Sequence, residues 1–171
     1  MGIAGALAGA CRFAGRGECL SEQHKTPRKL NLLIVEDEPG DFRLLQLAMQ
    51  KNGFEAVLHS AVNAGEALAF LRREGEANCA APRPDLILLD LNLPGMSGLE
   101  LLAQIKADKR LFPLPVVIIT ASGNEADVCA AYRYGAAGYV VKPADLNAFV
   151  VAVHDLGQYW FRLVRLPEQF E

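Results

Sequence analysis

The sequence predicts an α/β domain built around a doubly wound, five-stranded parallel sheet. The first observation is that five short apolar runs alternate with five stretches of helical character from Leu30 onward, an alternation typical of parallel α/β folds. The second is that these runs are continuously apolar, which indicates strands buried on both faces of a sheet. Five such strands favour the order 2-1-3-4-5, in which the first and third strands are neighbours.

The predicted strands and helices define one domain. The strands are residues 30–35, 55–60, 85–90, 115–120 and 138–141, and the helices are residues 40–52, 63–74, 97–108, 124–134 and 145–161. We therefore expect the domain to cover residues 30–161. Residues 1–29, rich in Gly and Ala, are expected to be a disordered or non-native leader, and residues 162–171 a C-terminal extension.

Helix-start signals support three of these helices. Asn63 followed by Glu66, and Ser97 followed by Glu100, are capping-box patterns ahead of apolar-periodic runs. Asp145 is a suitable N-cap for the last helix. The residues whose helical spacing predicts an apolar face on that helix are Leu146, Phe149, Val150, Val153, Leu156 and Trp160.

Carboxylates follow two of the predicted strands directly. Glu36 and Asp37 come after the first strand, and Asp90 closes the third apolar run. Open α/β sheets bind their ligands at the carboxyl ends of the strands, where the strand order reverses, so these side chains should meet in one crevice. Carboxylates in such close proximity do not all stay ionised unless a cation shares the site. Hard carboxylate oxygens suit Mg²⁺, and no His or Cys is placed to form a zinc site.

The fourth and fifth strands bring further polar groups to the same edge. Thr120 ends the fourth strand, and Lys142, followed by Pro143, ends the fifth. A carboxylate that faces Mg²⁺ and a lysine can attack a phosphoryl group and form an aspartyl phosphate, with the cations and a hydroxyl neutralising the phosphoryl oxygens. Tyr139 lies three residues before Lys142 and points to the opposite face of its strand.

Four segments together resemble a response-regulator receiver domain of two-component signalling over about residues 30–161. They are residues 35–38, 88–98, 118–122 and 138–143. The resemblance implies the flavodoxin-like (βα)5 receiver fold and a phosphoacceptor role for Asp90. It also implies that Asp37 binds Mg²⁺ directly and Glu36 through water, with Asp90 and the backbone carbonyl of Asn92 as further ligands. Lys142 would pair with Asp90 and then with the phosphoryl group.

The same resemblance implies a switch. Thr120 and Tyr139 would be the switch pair, and the peptide bond between Lys142 and Pro143 would be cis. A narrower resemblance, to phytochrome-associated regulators, rests on residues 38–41, 68–75 and 159–161 together with 166–167. It implies a sensor histidine kinase of the phytochrome type, such as a bacteriophytochrome, as the partner.

The functional hypothesis is a response regulator with a single receiver domain that is phosphorylated on Asp90 with Mg²⁺. Apart from catalysing its own phosphorylation and dephosphorylation, it is not expected to be an enzyme. One alternative is a binding module that uses the same fold as a dimerising scaffold. Another is a phosphatase or hydrolase, which usually needs a second acid/base carboxylate near its nucleophile; Asn92, two residues after Asp90, offers none.

Composition and charge exclude several other classes of protein. The net charge is −3, and the Lys and Arg residues are scattered, without the basic stripe of a nucleic-acid-binding face. No apolar run approaches the roughly 20 residues of a membrane span. The cysteines at positions 11, 19, 79 and 129 lack the paired short spacing of metal or redox motifs. We therefore expect reduced thiols in a cytoplasmic protein that binds neither nucleic acid nor membrane.

The end of the chain is unusually apolar between residues 158 and 166. It either folds back on its own domain or forms an arm that packs on a second subunit, since exposed apolar patches commonly mark interfaces. A symmetric dimer through the fourth helix, fifth strand and fifth helix would bury such an arm. We expect a homodimer of this kind.

Overall fold

The computed structural model describes residues 29–166, which form a five-stranded parallel sheet in the order β2-β1-β3-β4-β5. The predicted fold class and strand order are therefore confirmed. The predicted leader, apart from Lys29, and residues 167–171 of the predicted extension lie outside the described residues.

Strands and helices alternate as predicted, and their bounds differ from the prediction by two residues at most except at the end of the last helix. The strands are β1 Leu30–Val35, β2 Ala56–Ala61, β3 Leu86–Leu89, β4 Val116–Thr120 and β5 Gly138–Val141. The helices are α1 Pro39–Lys51, α2 Ala64–Arg72, α3 Gly98–Ala107, α4 Glu125–Arg133 and α5 Leu146–Gly157.

The continuous apolar runs fill two cores, one on each face of the sheet. Successive side chains of a strand point to opposite faces, so a strand covered on both sides needs an apolar residue at every position. In β1, Leu33 and Val35 pack with α2, α3 and α4, whereas Leu32 and Ile34 pack with α1 and α5. This packing fixes the carboxyl ends of β1, β3 and β4 relative to one another.

The predicted caps are present. The side chain of Asn63 accepts a hydrogen bond from the Glu66 amide, and Ser97 forms a full capping box with Glu100. Asp145 accepts a hydrogen bond from the Ala148 amide at 2.9 Å. Because α3 and α5 begin directly after loops at the carboxyl edge of the sheet, these caps also fix the loops that hold the polar residues there.

The last helix differs from the prediction. It ends as an α-helix at Gly157 and continues as a π-helical segment, Gln158–Leu163. A Cβ atom on Gly157 would lie 2.1 Å from the ring of Phe54, so only glycine allows the helix to approach the α1–β2 connection this closely. Trp160 is buried in the core beneath the segment, whereas Leu146, predicted to be on the apolar face, is 57% exposed.

The apolar end of the chain folds back on its own domain in part, and its packing on a second subunit stays a prediction. Phe161, Val164 and Leu166 pack against the core of their own domain, so one side of the segment folds back. Tyr159 and Leu163 face away from the domain and are 50% and 77% exposed. None of the helices within residues 29–166 combines the length and the apolar character needed to cross a bilayer.

Candidate functional site

The carboxylates that follow β1 and β3 meet at the carboxyl edge of the sheet. The two strands pair in register, with Val35 opposite Leu89, and the Asp90 amide donates to the Val35 carbonyl at 3.0 Å. One carboxylate oxygen from each of three residues lies within 4.8 Å of the others, and these residues are Glu36, Asp37 and Asp90. Glu36 and Asp90 are buried, so their charges require compensation.

Lys142 supplies part of that compensation. Its amide donates to the Thr120 carbonyl at 2.7 Å, which continues the pairing of β4 with β5 and points the side chain into the crevice. Its Nζ atom lies 2.6 Å from Glu36, 2.7 Å from Asp41 and 3.0 Å from Asp90. Burial lowers the pKa of Lys142, but hydrogen bonds to Asp41, Glu36 and Asp90 outweigh burial and raise it overall. The ammonium therefore stays charged.

The electrostatic balance of the crevice favours a further cation. Burial raises the pKa of Glu36 against the opposing effect of Lys142, and the negative charge of Asp90 adds to the increase. Beside the Lys142 ammonium the crevice gathers four carboxylates, those of Glu36, Asp37, Asp41 and Asp90. Their oxygen atoms are hard donors of the kind that bind Mg²⁺ or Mn²⁺, so the residues present fit a divalent metal.

The loop after β3 is held against Asp90. The Asn92 amide donates to Oδ1 of Asp90 at 3.2 Å, and the Gly98 amide donates to the Leu91 carbonyl at 2.9 Å. A Cβ atom on Gly98 would lie 2.1 Å from the backbone oxygen of Asp90, so this position requires glycine. The structure thus places Asn92 beside the carboxylate that the sequence identified.

Thr120 and Tyr139 are joined through Ser122. Thr120 is fully buried, and its hydroxyl oxygen accepts a hydrogen bond from the Ser122 amide at 3.4 Å. The Tyr139 hydroxyl donates to the Ser122 carbonyl at 2.9 Å, and the Ser122 hydroxyl donates to Asp127, in the first turn of α4, at 2.6 Å. Burial raises the pKa of Tyr139, the hydrogen bond to Ser122 opposes this, and Asp127 and Asp90 add to the increase. One residue therefore links the two predicted switch residues to α4.

One predicted feature is wrong in this structure. The peptide bonds within residues 29–166 are all trans, including the bond between Lys142 and Pro143, which was expected to be cis. A trans bond before proline is the lower in energy by about 0.5–1 kcal/mol. With this trans bond, the Lys142 side chain still reaches Glu36 and Asp90.

Two residues of the site were not identified from the sequence. Asp41 lies within a segment of family resemblance and has no predicted role, yet its carboxylate contacts Lys142. Its position in the first turn of α1, four residues after Asp37, was the available signal. Ser122 is not among the predicted site residues, although a hydroxyl residue two positions beyond Thr120 can reach the first turn of the next helix.

The site and the fold define a class of protein. The model of the response regulator receiver domain family matches residues 32–154, so the chain belongs to this family. Response regulator Rcp1 of Synechocystis sp. is 37% identical over 148 residues, which are 86% of this chain and 99% of that protein. The chain is thus a response regulator with a receiver domain, which is a signalling domain.

Solved structures point to the same group of relatives. The crystal structure of the phosphorylated cyanobacterial phytochrome response regulator RcpA has a TM-score of 0.78 and 38% identity, and the match covers 82% of this chain and all of that one. The Mn²⁺-bound form of Rcp1 has a TM-score of 0.76 and 38% identity, covering 81% and 99%. The bacteriophytochrome response regulator RtBRR has a TM-score of 0.65 and 36% identity, covering 82% and 86%.

Proposed function

We propose that Asp90 accepts a phosphoryl group from the phosphohistidine of a sensor histidine kinase. The observation that supports this most directly is the environment of the Asp90 carboxylate. It lies beside the carboxylates of Glu36 and Asp37, which suit a divalent cation, and 3.0 Å from the Lys142 ammonium. A carboxylate that adjoins a lysine ammonium and a divalent cation can attack an electrophile that carries negative oxygens.

Mg²⁺ is the cation that we propose for this site. Its ligands would be carboxylate oxygens of Glu36, Asp37 and Asp90, with Glu36 acting through water, and the backbone carbonyl of Asn92. When bound, the cation neutralises charge on the phosphoryl oxygens. The hard donor set supports this choice, and the Mn²⁺-bound form of the similar protein Rcp1 is consistent with it because the two ions accept the same oxygen ligands.

In the proposed reaction an oxygen of Asp90 forms a bond to phosphorus while the bond between phosphorus and the histidine nitrogen breaks. The electron pair of that bond stays on the imidazole of the kinase. Lys142 then moves its contact from the Asp90 carboxylate to a phosphoryl oxygen, and the Thr120 hydroxyl donates to another. Hydrolysis of the acyl phosphate by water regenerates Asp90 and releases inorganic phosphate.

We propose that the modification is transmitted through Ser122. The phosphoryl group adds negative charge and acceptor oxygens near Thr120, which draws the Thr120 hydroxyl away from the Ser122 amide. Tyr139 then gives up its hydrogen bond to the Ser122 carbonyl and rotates behind Thr120. Because Ser122 also binds Asp127 of α4, the surface formed by α4, β5 and α5 shifts between two states.

Intact-protein mass spectrometry with a small phosphodonor tests the chemistry. Wild-type protein incubated with Mg²⁺ and the donor should gain the mass of one phosphoryl group, and Asp90→Asn should gain none. Asp155→Asn, which removes an exposed carboxylate from α5, is the matched control and should react like the wild type. An unmodified wild type, or an Asp90→Asn variant that is still modified, would rule out the proposed acceptor.

The partner kinase that we propose is of the phytochrome type. The similarity to RcpA, Rcp1 and RtBRR supports this choice. A phosphotransfer profile tests it: phosphorylated kinases of several sensor types are mixed with the protein for short times, and a phytochrome kinase should transfer fastest. Equal transfer from every kinase would contradict the pairing.

The exposed free thiols of Cys79 and Cys129 suit a reducing compartment, which supports a cytoplasmic location.

We also propose a homodimer through α4, β5, α5 and the C-terminal arm. Exposed apolar side chains on these elements support it, and they are Tyr132, Val141, Val151, Tyr159 and Leu163. Light scattering after size exclusion should give twice the chain mass for wild type and a lower mass for Leu163→Ser. Phe112→Ser, which removes an exposed apolar side chain outside this surface, should leave the mass unchanged. A monomeric wild type in both phosphorylation states would exclude the dimer.

A further inference from the structure

We propose that Asp41 is a positioning residue that holds the Lys142 ammonium when a divalent cation occupies the oxygens of Glu36 and Asp90. The inference rests on the proposed metal-dependent function. Asp41 lies 2.7 Å from Nζ of Lys142, as close as Glu36 at 2.6 Å. Yet Asp41 does not belong to the group of carboxylates whose oxygens lie within 4.8 Å of one another.

The position of Asp41 separates it from the carboxylates around it. Its side chain is 44% exposed, whereas Glu36 and Asp90 are buried. It lies in the first turn of α1, whose first residue is Pro39. Proline at this position is pre-organised for a helix start, and the N-terminal end of a helix stabilises a negative charge. The Asp41 carboxylate therefore lies at the rim of the crevice, on the side of Lys142.

Lys142 and a divalent cation would share the carboxylates of Glu36 and Asp90. Nζ contacts Glu36 and Asp90, and both residues contribute an oxygen to the candidate metal site. A cation on these oxygens repels the ammonium, and a buried ammonium without a partner is costly. Asp41 gives Lys142 a partner that the metal does not use, so the ammonium can leave Glu36 without leaving the crevice. The ammonium also stays within reach of Asp90, where the phosphoryl group would arrive.

Removal of Asp41 should therefore weaken metal binding in the absence of any phosphodonor. Isothermal titration calorimetry with Mg²⁺ should show that Asp41→Asn binds the ion about three- to tenfold more weakly than wild type. This loss of affinity is at or below the usual one for removal of a residue that contacts a metal ligand, because Asp41 is half-exposed. Asp41→Glu, which keeps the charge, should restore affinity to within about twofold.

Glu38→Gln is the matched control for the loss of charge. Glu38 is exposed and precedes α1, and within residues 29–166 its carboxylate has no hydrogen bond or ion pair. Loss of this exposed charge, which solvent screens, should change the affinity for Mg²⁺ by less than about twofold. Circular dichroism establishes that each variant is folded before titration.

The decisive measurement repeats Asp41→Asn in a Lys142→Met background. If Asp41 acts by holding Lys142, then in this background Asp41→Asn should change the affinity for Mg²⁺ no more than Glu38→Gln does. An Asp41→Asn variant that binds Mg²⁺ like Glu38→Gln, or that loses the same factor with and without Lys142, would overturn the inference while leaving the metal site intact. A wild type that binds no Mg²⁺ would instead overturn the proposed function, and this inference with it.

Discussion

The ammonium of Lys142 lies 2.6 Å from the carboxylate of Glu36, and both side chains are almost entirely shielded from solvent. Burial raises the pKa of Glu36, the charge of Asp90 adds to the increase, and Lys142 is the main group that opposes it. The pair also adjoins the Asp90 carboxylate, at 3.0 Å from Nζ. Lys142 is therefore a structural counter-ion as well as a candidate partner of the phosphoryl group.

Replacement of Lys142 by Met should destabilise the metal-free protein. It leaves two buried carboxylates without their cation, a change that typically costs about 3–5 kcal/mol; we expect about 2–4 kcal/mol because the carboxylates can take up protons. Urea denaturation in EDTA measures the free energy of unfolding. Excess Mg²⁺ should recover part of the loss, since it binds the folded state.

Lys29→Met is the control for this prediction. Lys29 forms an exposed pair with Glu55 at 3.5 Å, and exposed pairs contribute little. Its replacement should therefore leave the unfolding curve unchanged within error. A Lys142→Met variant as stable as Lys29→Met in EDTA would show that the buried carboxylates do not depend on the ammonium.

The sequence was sufficient to predict the residues that directly follow buried strands. The runs that end before Glu36 and at Asp90 locate both residues at strand ends, and the strand order then makes them neighbours. Asp41 was harder to identify because it lies on a helix, where contact with Lys142 depends on how α1 packs and how far a lysine side chain reaches. Nothing in the residue pattern encodes that distance.

The end of α5 was not predictable for a related reason. A helical period continues from Phe149 to Trp160, so the pattern favours one uninterrupted α-helix. The change to a π-helical segment occurs at Gly157, where the helix meets Phe54 from the distant α1–β2 connection. The periodicity of one segment cannot predict such a contact, because the contact depends on tertiary packing.

Gly98→Ala should disturb the loop that carries Asp90 and Asn92. The new methyl group would meet the backbone of Asp90 and Leu91, which cannot move aside as a flexible side chain can. We expect a loss of about 2–4 kcal/mol in the free energy of unfolding, and a lower rate of modification by a small phosphodonor. Urea denaturation and mass spectrometry measure the two effects.

Gly40→Ala provides the matched glycine. A Cβ atom there has no neighbour within 4 Å, and Gly40 lies in the first turn of α1. Alanine at a helical site should stabilise the protein by up to about 1 kcal/mol. Equal stability losses for Gly98→Ala and Gly40→Ala would show that the close approach at Gly98 has no energetic weight.

Gly157→Ala should displace the π-helical segment from the core. The added methyl group would overlap the ring of Phe54, which also stacks on Phe161 with centroids 5.3 Å apart. Overpacking of this kind costs about 1–3 kcal/mol. Because Trp160 is the only tryptophan of the chain and is buried within the π-helical segment, its fluorescence emission should shift to the red in the folded variant.

A smaller side chain at position 54 should relieve the overlap. Phe54→Leu in the Gly157→Ala background is expected to return the Trp160 emission toward the wild-type wavelength, even though Phe54→Leu alone loses the stacking on Phe161. If the emission of Gly157→Ala equals that of the wild type, the segment does not depend on close approach at this glycine.

His59 should give the stability of the domain a measurable dependence on pH. The ring lies 5.0 Å from that of Phe70, and Nε2 lies 3.1 Å from Oδ1 of Asn31. Burial lowers the pKa of His59 below its ordinary value of 6.5, so the unfolded chain binds a proton more readily than the folded one. The resulting contribution to stability is fully present above the ordinary pKa of 6.5, and it is lost as the pH falls from there through the lower pKa of the folded state.

His59→Gln removes the titrating group and keeps a hydrogen-bond donor for Asn31. Between about pH 7.5 and pH 5.5, the free energy of unfolding should fall more for wild type than for His59→Gln, since the carboxylates that titrate at lower pH are common to both proteins and cancel in the comparison. Urea titrations at a series of pH values provide both curves. Parallel curves through this range would show that the folded state binds the proton of His59 as readily as the unfolded chain does.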